Sequence, residues 1–390
     1  VEPAAAGPAA MKRGGILRLA YKLLVNDSGK FSALLVGLTF AVFLMVQMTS
    51  IFAGILSRAS ATVSNIGAEV WIMDPAVNTV ANTIPLPDYL LGAVRSLPGV
   101  RYAVPLYAGG ALVKLGDGAY QAVSVIGLDD TSLFGRPQLE QGSIADLYAD
   151  DAFVVVRDAE FGKLGHPVVG SEFQINDRRA VVAGIARVAA GGLFGVPTLY
   201  TTYSRARQYI PSSRSTISYI LVAPQSPAAL AAIQQQVRQL GYLALSKRQF
   251  IQRISDFYKY QTGVGTNILL MTVISFIVGL SISGQTFYSF ILENLEKFGA
   301  LKAIGAKGHE LVGMILFQAV FTALTGYGLG LGLCTLLIAA AKWRLPDYAA
   351  QLTFGNLALA FGMVLVIAAI SSYIGIRKVL RIEPFDIFRG

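Results

Sequence analysis

The stretch from Thr266 to Ile291, TNILLMTVISFIVGLSISGQTFYSFI, contains no charged residue. An uncharged apolar run of this length reads as a membrane span, because about 20 apolar residues cross the hydrocarbon core. Inside lipid the backbone must satisfy its own hydrogen bonds, so the run is expected to be helical. Three further runs have the same character: Phe31 to Leu56, Leu311 to Ala341 and Phe354 to Ile376. Composition agrees, since charged residues make up 14% of the chain, well below the roughly 25% of soluble domains. The net charge of +9 fits either a nucleic-acid binder or the basic cytoplasmic loops of a membrane protein, and position decides between them.

Position favours the membrane. Lys12, Arg13, Arg18, Lys22 and Lys30 precede the first run, Lys297, Lys302 and Lys307 lie between the second and third, and Arg377, Lys378, Arg381 and Arg389 follow the fourth. By the positive-inside rule these segments are cytoplasmic, which places both termini inside. Lys342 and Arg344 are local exceptions in a short outer turn whose Trp343 and Tyr348 suit the interface. The expected organisation is a linker or expression remnant over 1–10 and a cytoplasmic interfacial helix over 11–30. Spans then cover 31–57, 261–291, 311–341 and 354–376, with a cytoplasmic coupling helix over 292–310 and a cytoplasmic tail over 377–390. Residues 58–260 contain no run long enough to cross, and form an extracytoplasmic domain with a stalk.

That domain reads as α+β. Strand-like segments run over Ala68–Met73, Tyr102–Leu115, Gln121–Leu128, Phe153–Arg157, Glu172–Val188, Leu199–Tyr203 and Tyr219–Ala223, between Gly, Pro and Asp turn residues. Helices are expected over Asp88–Leu97, stopped by Pro98-Gly99, and Pro227–Leu240, stopped by Gly241. Lys247–Tyr260 carries Phe250, Ile251, Ile254 and Phe257 at helical spacing and leads into the second span as a stalk that would transmit movement.

Directly after the second span, Leu292, Leu295, Phe298, Leu301 and Ile304 fall three apart, with Glu293, Glu296, Lys297 and Lys302 between them. The pattern predicts a helix with one apolar edge and one solvated face, stopped at Gly305 and Gly308. Phe298 either anchors this helix at the bilayer surface or packs beneath the third span.

The words from Phe298 to Ala306, FGALKAIGA, resemble the EIGxLRAxGA signature of the FtsX-like permease domain, the membrane half of ABC transporters of the MacB, LolC and DevC type. Glu296-Lys297 stands where the family usually has Arg-Glu, and Lys302 where it has Arg; the Lys297-Phe298 variant is most similar to the DevC branch. Leu97-Pro98-Gly99-Val100 with Val104-Pro105 is similar to the opening of the MacB-type periplasmic domain, and the tail IRKVLRIEPFDIFRG, with Glu383 to Asp386 at its turn, to the family's closing phrase.

The resemblance implies a four-span α-helical bundle with an inserted α+β domain in the bacterial inner membrane. It also implies contact with a cytoplasmic ABC ATPase through Glu293, Glu296, Lys297, Phe298, Leu301, Lys302, Ile304 and Gly305. Its expected partners are that ATPase, a second copy of the chain in a homodimer and membrane lipids, but no nucleic acid; participation of a periplasmic adaptor and an outer-membrane duct is left open by the resemblance. The implied activity is mechanotransmission, in which ATP hydrolysis drives export or extraction of a hydrophobic or amphipathic substrate. A regulator that activates an extracytoplasmic cell-wall hydrolase, as FtsX does, is the alternative.

No GxxxxGK[ST] spacing occurs, so ATP and Mg are expected on a partner subunit and no cofactor on this chain. The Gly-rich run Ala189–Gly195 reads as a loop, and Gly279 to Ser283 misses the nucleophile-elbow spacing and context. His166 and His309 fall on opposite sides of the membrane in this topology, so neither a metal site nor catalytic residues are expected. Cys334 reads as a small core residue. Met45, Met48 and Met271 could offer sulfur to a haem, though without a histidine in the spans. Ser275, Gly279 and Ser283 recur every four residues, and Gly326, Gly328, Gly330 and Gly332 make two overlapping GxxxG steps. Such stripes serve packing within one bundle, a dimer contact, or both on different faces. Gln47, Gln285 and Gln318 either join helices or line a substrate path.

Overall fold

The computed structural model describes residues 13–189, 195–210, 217–345 and 348–381. The linker at 1–10, most of the Gly-rich run and the tail from 382, with its turn at Glu383 to Asp386, lie outside the described residues. The chain divides into two units: one reaches Ala53 and resumes at Thr266, the other is Gly54–Gly265.

Helix α1 (Arg13–Asn26) buries Ile16, Ala20 and Leu24, spaced four apart on one stripe. Asp27 ends it and starts α2 (Ser28–Ala59), accepting the Lys30 backbone N–H on its side chain at 3.4 Å. This second helix is the first of four among the described residues that are long and apolar enough to cross a membrane.

The inserted unit follows as α3 (Ala61–Ile66), β1 (Val70–Met73), α4 (Tyr89–Arg95), β2 (Val100–Lys114), β3 (Tyr120–Leu128), β4 (Leu139–Gly142) and β5 (Ala152–Val156). It continues through β6 (Glu172–Ile175), β7 (Arg178–Ala186), β8 (Thr198–Thr202), α5 (Tyr203–Tyr209), β9 (Tyr219–Pro224), α6 (Ala229–Gln239), β10 (Leu243–Ser246) and α7 (Lys247–Asp256). The strands make one mixed sheet in the order β10-β1-β9-β2-β3-β8-β5-β7-β4, with β6 pairing β2 and β7. Among the described strands, β3 with β8 and β5 with β7 run parallel and the other pairs antiparallel.

Both faces of this sheet are covered, and the two-residue period of a strand divides its side chains between two cores. Val70 and Ile72 join one cluster with Leu90 and Val94 of α4 and Ile233 and Val237 of α6. Trp71 and Met73 join the other, with Val63 and Ile66 of α3 and Phe250 and Ile254 of α7. Burial on both sides explains why β1, β5, β8 and β9 read as unbroken apolar or small-residue runs instead of alternating ones. Polar groups are tied into the fold at its edges. Burial raises the Asp129 pKa, but hydrogen bonds from Ser132 and Thr131 outweigh it and hold the carboxyl below its ordinary range. Burial and a hydrogen bond to Asp151 push the Tyr209 hydroxyl up, so it stays a neutral donor.

The structure corrects the sequence reading here. Glu172–Val188 is a hairpin, not one strand: Asn176 (φ 46°) and Asp177 (φ 64°) form a left-handed two-residue turn between Ile175 and Arg178, which pair. Strands β4 and β10 and helices α3 and α5 were not expected, being short and weakly patterned. The stalk helix stops at Asp256 and passes through a π-helical turn, Phe257–Gln261.

The remaining helices are α8 (Gly263–Glu293), α9 (Leu295–Ala303), α10 (Gly308–Arg344) and α11 (Phe354–Leu380); α8, α10 and α11 complete the set of four long apolar helices. They pack with α2 and with one another through small residues at points of close approach. A Cβ at Gly279 would lie 2.5 Å from the Ala41 Cβ, and one at Gly326 would lie 2.9 Å from Leu38 Cδ2. Gly37 faces Ile282 and Gly375 faces Ile291 with no room for a methyl group. Close backbone approach through small side chains is how helices associate in lipid, where burying apolar surface supplies little drive.

Candidate functional site

The link between α8 and α10 is built around two residues. Asn294, almost fully buried, interrupts the helix after Glu293; its side-chain amide donates to the Phe290 carbonyl at 2.8 Å, and its own carbonyl accepts the Phe298 N–H at 3.1 Å. Phe298 is fully buried and shares the bundle core with Phe287, Phe290, Leu311 and Ile315, while Leu295 and Leu301 are half-buried against it. Phe298 is thus the anchor of α9 and is packed into protein, the second of the two roles left open for it.

The end of α9 is tightly specified. Gly305 sits at φ 106°, where a side chain would be strained; its N–H reaches the Lys302 carbonyl at 3.1 Å and the Ala306 N–H reaches the Leu301 carbonyl at 3.0 Å. This pair of bonds is a Schellman stop, and both Leu301 and Ala306 pack against the bundle core. Past it, the Lys307 N–H donates to the Glu310 carboxylate at 2.8 Å, starting α10.

The seated helix leaves a distinct outer surface. Glu296 and Lys297 are exposed, and Ile304 is 82% exposed although it continues the three-residue apolar spacing. Ile304 leaves the apolar edge because the helix ends before it, at Ala303. Leu292 is exposed as well, and it belongs to α8. Glu293 is the last residue of α8, and its carboxylate pairs with Lys30. Lys302 is half-buried, its ammonium 3.4 Å from the Leu380 carbonyl.

The small-residue stripes separate by face. Gly326 and Gly330 press against α2, where a Cβ at Gly330 would lie 2.7 Å from the Thr39 carbonyl oxygen and from Val42. Gly328 and Gly332 have nothing within 4 Å of an added Cβ. Ser275 and Ser283 are buried, and the Ser275 hydroxyl bonds its own helix at the Met271 carbonyl, 2.7 Å away.

The three glutamines also separate. Gln318 is fully buried and donates to the Ala20 carbonyl of α1 at 2.9 Å. Gln47 bonds the Tyr348 hydroxyl and accepts from Cys334 at 3.3 Å, while Gln285 is exposed. Nearby, the Gln351 N–H reaches the Ser50 carbonyl at 2.9 Å and Asn356 reaches that of Thr49 at 3.0 Å. Sequence reasoning missed Asn294 and did not foresee the partners of Lys30 and Tyr348. Asn294 had a signal, a lone amide between two apolar runs; the other two are set only by tertiary contact.

Four long apolar helices with an α+β unit inserted after the first define a multi-pass membrane protein. Comparison with known families is consistent with this: residues 32–240 match the MacB-like periplasmic core domain, and residues 268–384 the FtsX-like permease C-terminal domain. The chain belongs to the ABC transporter permeases of this MacB/FtsX type. It is 24% identical over 355 residues to an uncharacterized ABC transporter permease of Mycobacterium tuberculosis, covering 91% of this chain and 93% of that one. It is 22% identical over 389 residues to the pyoverdine export ATP-binding/permease protein PvdT of Pseudomonas syringae, covering 94% of this chain and 58% of the relative. The periplasmic region of MacB from Actinobacillus actinomycetemcomitans aligns with a TM-score of 0.35 at 15% identity, over 50% of this chain and 96% of that one.

Proposed function

We propose that this permease works with a separate cytoplasmic ATPase subunit, which binds ATP and Mg, and turns ATP-driven movement of its helices into export or extraction of a hydrophobic or amphipathic substrate. In this reading both termini are cytoplasmic, α9 is the surface that meets the ATPase, and the stalk helix α7 passes movement on to the extracytoplasmic unit. The working form is a homodimer; assignment to the DevC branch rests on Lys297-Phe298 alone. The carrying observation is the construction of α9: Phe298 holds it firmly to the bundle while Glu296, Lys297 and Ile304 stay exposed. A short helix fixed from below and open above can push on the bundle without unfolding. The relatives named as ATP-binding/permease proteins, including the macrolide exporter MacB of Salmonella typhi, support pairing with an ATPase.

The test uses Glu296→Lys and Ile304→Ser, substitutions on the open face. Exposed positions usually change stability by no more than about 0.5 kcal/mol, whereas loss of a docking contact costs about 1–2 kcal/mol, or roughly tenfold in affinity. The double variant should therefore keep its melting temperature while binding of the co-expressed ATPase and substrate-stimulated ATP turnover fall about tenfold. Unchanged binding and turnover in a well-folded double variant would remove the coupling role of α9.

A further inference from the structure

Helix α1 places Ile16, Ala20 and Leu24 in the bundle core and turns Leu17, Arg18, Tyr21, Lys22 and Val25 outward. Between this outer face and the first turn of α9 lies an open cavity of about 600 Å³. Its charged groups are Lys22 and Lys297, its other polar groups Tyr21 and Asn26, and its apolar floor includes Leu19 and Leu23. Among the described residues no carboxylate lines it. The nearby acids Asp27 and Glu293 are both engaged by Lys30, and Glu296 precedes Lys297 without reaching the cavity wall. Among the described residues Lys22 has no ion-pair partner. Among the described residues the Lys297 ammonium makes one hydrogen bond, to the Asn294 side chain at 2.8 Å, which uses one of its three donors.

Two uncompensated ammonium groups over an apolar floor call for an anion that carries apolar surface with it. The outward Leu17, Tyr21 and Val25 beside the basic residues are the arrangement of a helix lying at the headgroup boundary, so the anion and its acyl chains come from the same layer. We propose that the cavity between α1 and α9 binds the phosphate headgroup of an anionic phospholipid, with Lys22 and Lys297 as its cationic ligands. This goes beyond the coupling role and needs no ATPase.

The test uses the full chain purified in detergent, without any ATPase, and fluorescent phosphatidylglycerol and phosphatidylcholine as probes. Each lysine near an anionic headgroup strengthens binding by roughly fivefold. With two lysines, phosphatidylglycerol should bind about 25-fold tighter than phosphatidylcholine, and Lys22→Gln and Lys297→Gln should each lower this about fivefold. Lys22→Arg should retain it, and Lys342→Gln, at the other end of α10, should change nothing. Where Lys297→Gln lowers the melting temperature, Lys22→Gln carries the result, since Lys22 makes no hydrogen bond or ion pair among the described residues. Equal binding of the two lipids, or unchanged selectivity in Lys22→Gln, overturns the site. Displacement of the lipid by millimolar inorganic phosphate overturns the lipid assignment in favour of a free anion; failure of phosphate to compete supports it.

Discussion

The inserted α+β unit and the helical bundle are held together by different physics within one chain. In the inserted unit large side chains fill both faces of a sheet: Trp71 and Tyr219 meet edge to face with ring centres 5.4 Å apart, and Phe153 meets Tyr209 at 5.1 Å. Burying such a side chain from water stabilises a fold by about 1.5–3 kcal/mol. In the bundle the closest contacts are made by the smallest residues, at Gly279, Gly326 and Gly330. The lipid tails are as apolar as the helices, so shape fit and interhelical bonds such as Gln318 to Ala20 must supply what water exclusion supplies in the sheet. Large-to-small changes should therefore damage one region, and small-to-large changes the other.

The greatest contrast expected between the two regions is chemical access. With Cys334 replaced by Ala, a cysteine at the exposed Asp150 of the inserted unit should react fully with an impermeant thiol reagent on intact cells, and one at the exposed Lys307 should not. The reverse pattern would invert the proposed topology.

Next in size, Trp71→Ala should destabilise the inserted unit by about 3–5 kcal/mol, the usual cost of emptying a large aromatic site. Chemical denaturation followed by Tyr and Trp fluorescence would measure it; a loss under about 1 kcal/mol would mean the second core is not tightly packed.

A smaller effect is expected in the bundle. Gly330→Leu forces a side chain against the Thr39 carbonyl and Val42 and should cost about 1–3 kcal/mol. Gly332→Leu, two residues on and facing open space, should leave the melting temperature of the detergent-purified chain unchanged while testing the dimer contact. Equal melting temperatures for both variants would break the distinction between the two glycine faces.

Much of this architecture was legible in the residues. Four uncharged runs fix four long helices because lipid offers the backbone no other partner. Turn residues bounding short apolar runs marked the α+β character of the insertion. What was missed follows from weak local signals. The Asn176-Asp177 turn was overlooked because it carries no glycine to mark a hairpin, so β6 and β7 read as one strand. Strand β4, Leu-Glu-Gln-Gly, has no alternation to find, and β10 is held by pairing with β1 more than by its own pattern.

The candidate site divides in the same way. Its charged face, its Phe298 and its Gly305 stop are local properties, since helical period and backbone conformation depend on near neighbours. That Glu293 joins Lys30, and that Ile304 stands free past the helix end, depends on where a helix breaks and which distant residue arrives.

Length, periodicity and composition act locally, so the residues alone set the number of long apolar helices, the α+β class of the insertion and the presence of glycine stripes. Packing in three dimensions adds that Gly326 and Gly330 face α2 while Gly328 and Gly332 face open space, and that Gln47 and Gln318 are bonded inside while Gln285 is exposed. The reason is geometric: on a helix every residue type can occupy any face, and the face that matters is chosen by the neighbour that packs there.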